Sequence, residues 1–123
     1  MAHPVSFDDV KRRVVEFGVR ATIITVTADS KPHVVTAVLE IDDDRLVTHV
    51  GKRTCANLAE RPQLTLTWLP TDGDEYQLIL DGHADRVGEP DERGVSELAI
   101  EIEGGILHRL AGLPTPGPSC IAL

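Results

Sequence analysis

The residues with the clearest chemical potential lie at one junction, Val50-Gly51-Lys52-Arg53-Thr54-Cys55-Ala56-Asn57-Leu58. A strand-like run, Arg45 to Val50, precedes it, and a short helix-like run, Thr54 to Glu60, follows and stops near Pro62. A glycine, two cations, a hydroxyl and an amide thus meet where a strand passes into a helix. Free backbone N–H groups at a helix N-terminus attract anions, and a neighbouring Lys or Arg adds charge. The junction therefore has the makings of a phosphate-binding turn. The plainer alternative is a solvated turn in which Thr54 caps the helix.

Other reactive side chains form no such constellation. His33, His49, His83 and His108 fall in different elements, and alternation along the strands makes no pair of them a metal-ligand set. His3 falls in the N-terminal stretch and is expected to be disordered. Asp42-Asp43-Asp44 reads as a tight turn, because the alternating ligands and closing glutamate of a calcium loop are missing. Cys55 and Cys120 form no CxxC pair and show no zinc-site spacing. Cys55 reads as a small helix residue, and Cys120 as a thiol in a mobile tail. His108-Arg109 follows an apolar strand and could meet an anionic group at the mouth of a site. No triad or carboxylate pair stands out, so no catalytic residue and no metal ligand is assigned.

The elements that must position the junction are mostly strands. A chain of 123 residues suits one domain, and 41% hydrophobic with 26% charged residues is ordinary for a globular protein. With 3% aromatics, the core must be built from Val, Leu, Ile and Ala. A net charge of −8 argues against nucleic acid as a general partner. No apolar run approaches the ~20 residues of a membrane helix, and no export signal is visible, so a cytoplasmic location is expected.

Ser6 with Asp9 makes a capping pair for a first helix, in which Phe7, Val10, Val14 and Phe17 share a face and Gly18 provides the stop. Strands are then expected at Ala21–Ala28, His33–Ile41 and Arg45–Val50, and beyond the short helix at Gln63–Leu69 and Glu75–Val87. A sixth begins at Leu98, with Gly104-Gly105 kinking it before Ile106–Leu110. In the second strand Val35, Ala37, Leu39 and Ile41 face one way. Gly82, in mid-strand, suggests a bulge, a bend or a close backbone approach. Glu97, Glu101 and Glu103 read as a solvated face. Pro114, Pro116, Gly117 and Pro118 mark residues 111–123 as a tail behind a domain spanning 1–110. Short connections imply antiparallel pairing, and closure removes sheet edges. The expected fold is mainly β (α+β): a six-stranded antiparallel split β-barrel with an N-terminal helix and one short helix after the third strand.

The order of several local strings resembles the split-barrel flavin-binding proteins related to pyridoxamine 5′-phosphate oxidase, and most of all their short actinobacterial-type members. These strings are Ala21–Thr27 with Asp29-Ser30-Lys31-Pro32-His33-Val34-Val35, Asp44-Arg45-Leu46-Val47, Arg53-Thr54-Cys55-Ala56-Asn57-Leu58 with Arg61-Pro62, Leu66-Thr67-Trp68, and Leu78-Ile79-Leu80-Asp81-Gly82-His83-Ala84. Ile106-Leu107-His108-Arg109 and the end around Cys120 also look like that subgroup, and the likeness covers about residues 17 to 110.

The resemblance implies a homodimer with cofactor sites at its interface, holding FMN or the deazaflavin F420, with haem in a few branches. It places Lys52, Arg53, Thr54 and Asn57 at the phosphate end. Val35, Thr36 and Ala37 are placed along the ring, and Trp68 and Gln77 where they would reach the site from the partner subunit. Thr54 stands where many members carry a lysine, and Ser30 where the first hairpin commonly has a glycine. The C-terminal substrate contacts of the oxidase itself have no match, so that activity is not implied. A flavin carries its own redox chemistry, which removes the need for a triad. The expected function is hydride transfer to or from a small molecule by an FMN- or F420-dependent oxidoreductase. The alternatives are a non-catalytic FMN, F420 or haem module, and a dimeric split barrel without a cofactor.

Overall fold

The computed structural model describes residues 4–123, so His3 lies outside the described residues. Helix α1 spans Phe7–Phe17. The Ser6 hydroxyl accepts the Asp9 N–H at 3.2 Å, and Gly18, at φ +103°, ends the helix by donating its N–H to Val14 O at 2.8 Å. Val10 and Val14 are fully buried, and Phe7 and Phe17 pack beside them on the core.

Strands β1 (Arg20–Val26) and β2 (Pro32–Val38) form the first hairpin, and Ser30 in its turn takes φ +64°. The second expected strand is in fact two. The Leu39 N–H still bonds Val19 O at 2.7 Å, the last rung beside β1, and beyond it the chain changes partner and continues as β3 (Glu40–Asp42). Strand β4 (Arg45–Val50) pairs with β3, and helix α2 (Lys52–Glu60) follows β4, making it the helix after the fourth strand. Strands β5 (Gln63–Trp68), β6 (Tyr76–Val87) and β7 (Ser96–Arg109) complete the wall, and a two-residue β8 (Cys120–Ile121) pairs with β7.

The sheet is antiparallel, in the order β2-β1-β5-β6-β7-β4-β3, with β8 beside β7. Its two end strands, β2 and β3, are consecutive in the chain. The sheet therefore curls into a half-barrel until its ends meet at Leu39, and the Thr48 hydroxyl of β4 donates across the seam to Val38 O at 2.6 Å. Seven strands in the curl replace the six expected, because the second splits.

The inner face holds Ile23, Leu46, Leu66, Leu78, Leu80, Leu98 and Ile100, all fully buried. The alternation predicted for these strands is observed, with Leu64, Leu66 and Trp68 inward. Gly82 sits at a register shift against β7, and an added Cβ there would collide with the Glu101 carbonyl oxygen. Gly104-Gly105 does not interrupt β7. Instead an added Cβ on Gly105 would approach Leu80 Cδ2 at 2.5 Å and Ile79 O at 3.1 Å, so a bare backbone is what fits under β6.

The tail is anchored rather than loose. Tyr76 Oη donates to Pro118 O at 2.8 Å, and the Arg109 N–H to Ser119 O at 2.8 Å. Arg12 and Arg13 donate to Leu123 O at 2.7–3.1 Å. Arg109, 9% exposed, bonds Glu75 at 3.2 Å and Thr115 at 2.6 Å, so it is a strut of this corner rather than a cation at a site mouth. His108 Nδ1 lies 2.7 Å from Arg109 O.

Candidate functional site

The free edge of β2, the end of β4 and the start of α2 enclose a cleft of about 330 Å³. It is lined by His33, Val35, Thr36 and Ala37 from β2, His49 and Val50 from β4, and Gly51, Lys52, Arg53 and Thr54 from the junction. Six of the nine sequence-predicted positions are therefore together: Val35, Thr36, Ala37, Lys52, Arg53 and Thr54. Local geometry explains the meeting. Strand β2 pairs with β1 only, so its other edge is open, and the curl of the sheet carries β4 opposite that edge. The chain then leaves β4 at Gly51 and turns directly into α2.

Helix α2 starts two residues earlier than its sequence suggests. Gly51, at φ −83°, is the N-cap and supplies no side-chain hydrogen bond, whereas Thr54 lies inside the first turn and is 2% exposed. Thr54 is thus not a cap. The Cys55 N–H bonds Gly51 O at 3.1 Å, and the N–H groups before it in the first turn have no carbonyl within the helix to bond. The first turn carries no acidic residue. Lys52 and Arg53 are exposed at that same end. The result is a positive helix terminus with uncapped donors facing the cleft.

Asn57 is turned away from the cleft. It is 6% exposed, and its Nδ2 donates to the Thr25 hydroxyl at 3.0 Å, tying α2 to β1. The amide predicted for the phosphate end instead fixes the helix that presents that end. Replacing Asn57 with Ala strands the buried Thr25 hydroxyl and should lower stability by about 1–3 kcal/mol. Thermal unfolding of the variant checks this, and an unchanged midpoint would show that the contact contributes nothing.

Trp68 is 3% exposed and its indole N–H donates to Gly18 O at 2.8 Å, so within this chain it closes the core beneath α1. Gln77 is half-buried on the outer face of the sheet, where its Oε1 accepts from the Thr67 hydroxyl at 3.4 Å. Neither lines this chain's cleft. The cross-strand register puts Gln77 on the same face as Ile79, Thr67, Thr36, Ile24 and Val34. Val34 and Val38 are each 58% exposed there, leaving an apolar, hydroxyl-rich surface beside the cleft.

Sequence reasoning considered His33 and His49 only as metal ligands and set them aside. His33 Nδ1 is buried and has no hydrogen-bond partner among the described residues, an arrangement that calls for a polar group from outside the chain. The available signal was alternation: His33 lies two residues before Val35 and shares its side of β2. Across α2, a larger cleft of about 660 Å³ lies between Lys52, Cys55, Ala56 and Ala59 and the 87–96 connection. That connection is held by Asp91, whose carboxylate accepts the Arg93 and Val95 N–H groups at 2.8 and 3.0 Å. These backbone bonds, with Val95 first and Arg93 next, hold the Asp91 carboxyl below its ordinary range. Cys55 and Cys120 are both free thiols.

Comparison with solved structures gives the fold. The fold is that of the split barrels related to pyridoxamine 5′-phosphate oxidase. An F420 reductase superposes with a TM-score of 0.65 at 13% identity, over 76% of this chain and 94% of that one. A pyridoxinephosphate oxidase family protein from Clostridium acetobutylicum gives 0.66 at 13% identity, over 85% and 91%. An FMN-binding protein from Syntrophomonas wolfei gives 0.62 at 16% identity, over 84% and 91%.

In sequence, the chain is 34% identical over 74 residues to the uncharacterized proteins Mb0449c of Mycobacterium bovis and MT0457 of Mycobacterium tuberculosis. That match covers 58% of this chain and 52% of theirs, so the chain spans about half the length of these relatives. No family model matches the sequence. No helix among the described residues is long and apolar enough to cross a membrane.

Proposed function

We propose that the cleft holds the phosphate end of FMN or F420, and that the protein is a homodimeric oxidoreductase exchanging a hydride with a small molecule. The observation that carries this reading is the α2 terminus. An uncapped first turn bearing Lys52 and Arg53 opens onto the same cleft as the free edge of β2. The backbone N–H groups of that turn, the two cations and the Thr54 side chain suit a phosphate. Val35, Thr36 and Ala37 offer an unpaired strand edge and a hydroxyl along which a planar ring can lie. His33 Nδ1 is a polar group still in need of a partner, which fits the heteroatom edge of such a ring.

The bound cofactor would supply the redox chemistry; the protein's part is to bind, orient and keep water out. A cleft of about 330 Å³ is at the small end for a cofactor of this size. The remainder would be enclosed by a second copy docked on the exposed Val34 and Val38 face, to which Gln77 belongs as a partner-side contact, whereas Trp68 stays in the core of its own chain. The solved structures of like fold include an F420 reductase, an FMN-binding protein and haem-binding proteins; the preference for FMN or F420 here rests on the phosphate-suited α2 terminus.

A second reading keeps the same cleft without turnover: a module that carries FMN, F420 or haem. What favours it is the absence of any acid–base pair among the residues that line the cleft. The absorption spectrum of freshly purified protein, followed by titration with FMN, F420 and haem, tests both. FMN or F420 binding at micromolar concentration is expected. Binding of haem alone would move the protein to the second reading, and binding of none of the three would remove the oxidoreductase.

A further inference from the structure

A second chemical cluster lies on the outer face of β6 and β7, and none of its members lines the cleft. His83 sits directly across from Glu101 in the register of the two strands. The pairing then skips Asp85: Ala84 lies opposite Ile100 and Arg86 opposite Ala99. Asp85 is the extra residue of a β-bulge, a device that re-aims a side chain out of the regular ladder. Here it brings Asp85 to the same point as His83 and Glu101, and one ligand atom from each of the three lies within 4.8 Å of the others.

The imidazole is oriented for coordination. Glu103 Oε1 lies 3.1 Å from His83 Nδ1, and an ionised carboxylate can only accept, so Nδ1 is the donor there and the neutral imidazole carries its lone pair on Nε2. That lone pair faces Glu101 Oε2 at 3.6 Å. Two electron-rich atoms at that distance repel unless a cation or a proton lies between them. Around a tetrahedral zinc, neighbouring ligand atoms are about 3.4 Å apart, given bonds of about 2.1 Å. The 3.6 Å gap matches such an edge, and the exposed Glu101 side chain is free to close the rest. A carboxylate behind a ligating histidine is the usual outer support of a metal site.

Charge points the same way. Asp85, Glu101 and Glu103 are three carboxylates, and Arg45, 2.8 Å from Asp85 Oδ2, is the only permanent cation paired with them among the described residues. With His83 neutral the group carries two uncompensated negative charges, which one divalent ion balances. Glu101 and Arg45 also line a cleft of about 320 Å³ that reaches α1, so one side of the ion would remain open to water.

We propose that His83 Nε2, Asp85 and Glu101 form a surface site for one divalent transition-metal ion, zinc by preference, with Glu103 holding the imidazole in its ligating tautomer. One imidazole with two carboxylates suits a borderline ion better than magnesium. The proposal is independent of the cofactor reading.

Calorimetric titration of the full chain with zinc near neutral pH, in a non-chelating buffer, tests it. One saturable site with micromolar or tighter affinity is expected, and none for magnesium under the same conditions. His83→Ala should weaken zinc binding by about 100-fold or more, and Glu103→Gln by about tenfold while leaving all three ligands in place. If His83→Ala does not fold, Glu101→Gln and Glu103→Gln decide. Absence of a saturable site, or an affinity unchanged in these variants, would overturn the assignment.

Discussion

Replacing Lys52 and Arg53 together with alanine should weaken FMN binding by about 100-fold and leave the fold intact. A charge-assisted hydrogen bond contributes about 1.5–3 kcal/mol. Both side chains are exposed at the α2 terminus, so the lower end applies and each is expected to account for about tenfold. Neither is part of the core, and Lys52 only lays its stem against the Gly94 turn, with Cε 3.6 Å from the position of an added Cβ. The unfolding midpoint of the double variant should therefore stay close to that of the parent. Affinity should also become less sensitive to salt, since screened charges are what has been removed. Unchanged FMN affinity in the folded double variant would remove the phosphate assignment.

The largest stability effect is expected at Gly82. An added Cβ would collide with the Glu101 carbonyl oxygen and lie 3.3 Å from both its carbonyl carbon and Ile100 Cγ2. These neighbours are the backbone of β7 and a fully buried side chain, so nothing can swing aside. Gly82→Ala forces β6 and β7 apart at the bulge that sets their register, and Gly82→Val more so. Overpacking of this kind costs about 1–3 kcal/mol or more. A fall in melting temperature of about 10 °C is expected for the alanine variant. Gly51→Ala is the contrast: nothing lies within 4 Å of its added Cβ, and its φ of −83° suits any residue. Equal melting temperatures for the two variants would contradict the close packing read at Gly82.

The elements were legible wherever a short-range rule fixes them. Ser6 and Gly18 mark the ends of α1 because each acts on its own helix. Alternation sorted Leu78, Leu80 and Gly82 inward because a strand face is a local property. The break at Leu39 was not legible, since it marks where the chain leaves β1 for β4, a change of partner that alternation along one strand does not reveal. The anchored tail was missed for the same reason: prolines forbid regular structure but do not show that Tyr76 and Arg109 bind the chain between them.

At the site, the cations and the hydroxyl of the junction were visible as chemistry. The inward turn of Asn57 was not, because its partner Thr25 lies on β1, 32 residues away in the chain, and only the packed fold brings the two together. His33 was set aside because a lone histidine on a strand carries no signal until its neighbours leave Nδ1 without a partner. His83, Asp85 and Glu101 could not be associated from spacing alone, because the bulge that gathers them is a property of two strands together.

The claim that the α2 terminus holds a phosphate is tested most directly by titrating the protein with FMN and with riboflavin, which differ only in that group. FMN should bind at least about tenfold more tightly, and the difference should vanish in the Lys52→Ala, Arg53→Ala variant. Equal affinity of the parent protein for the two would contradict the account.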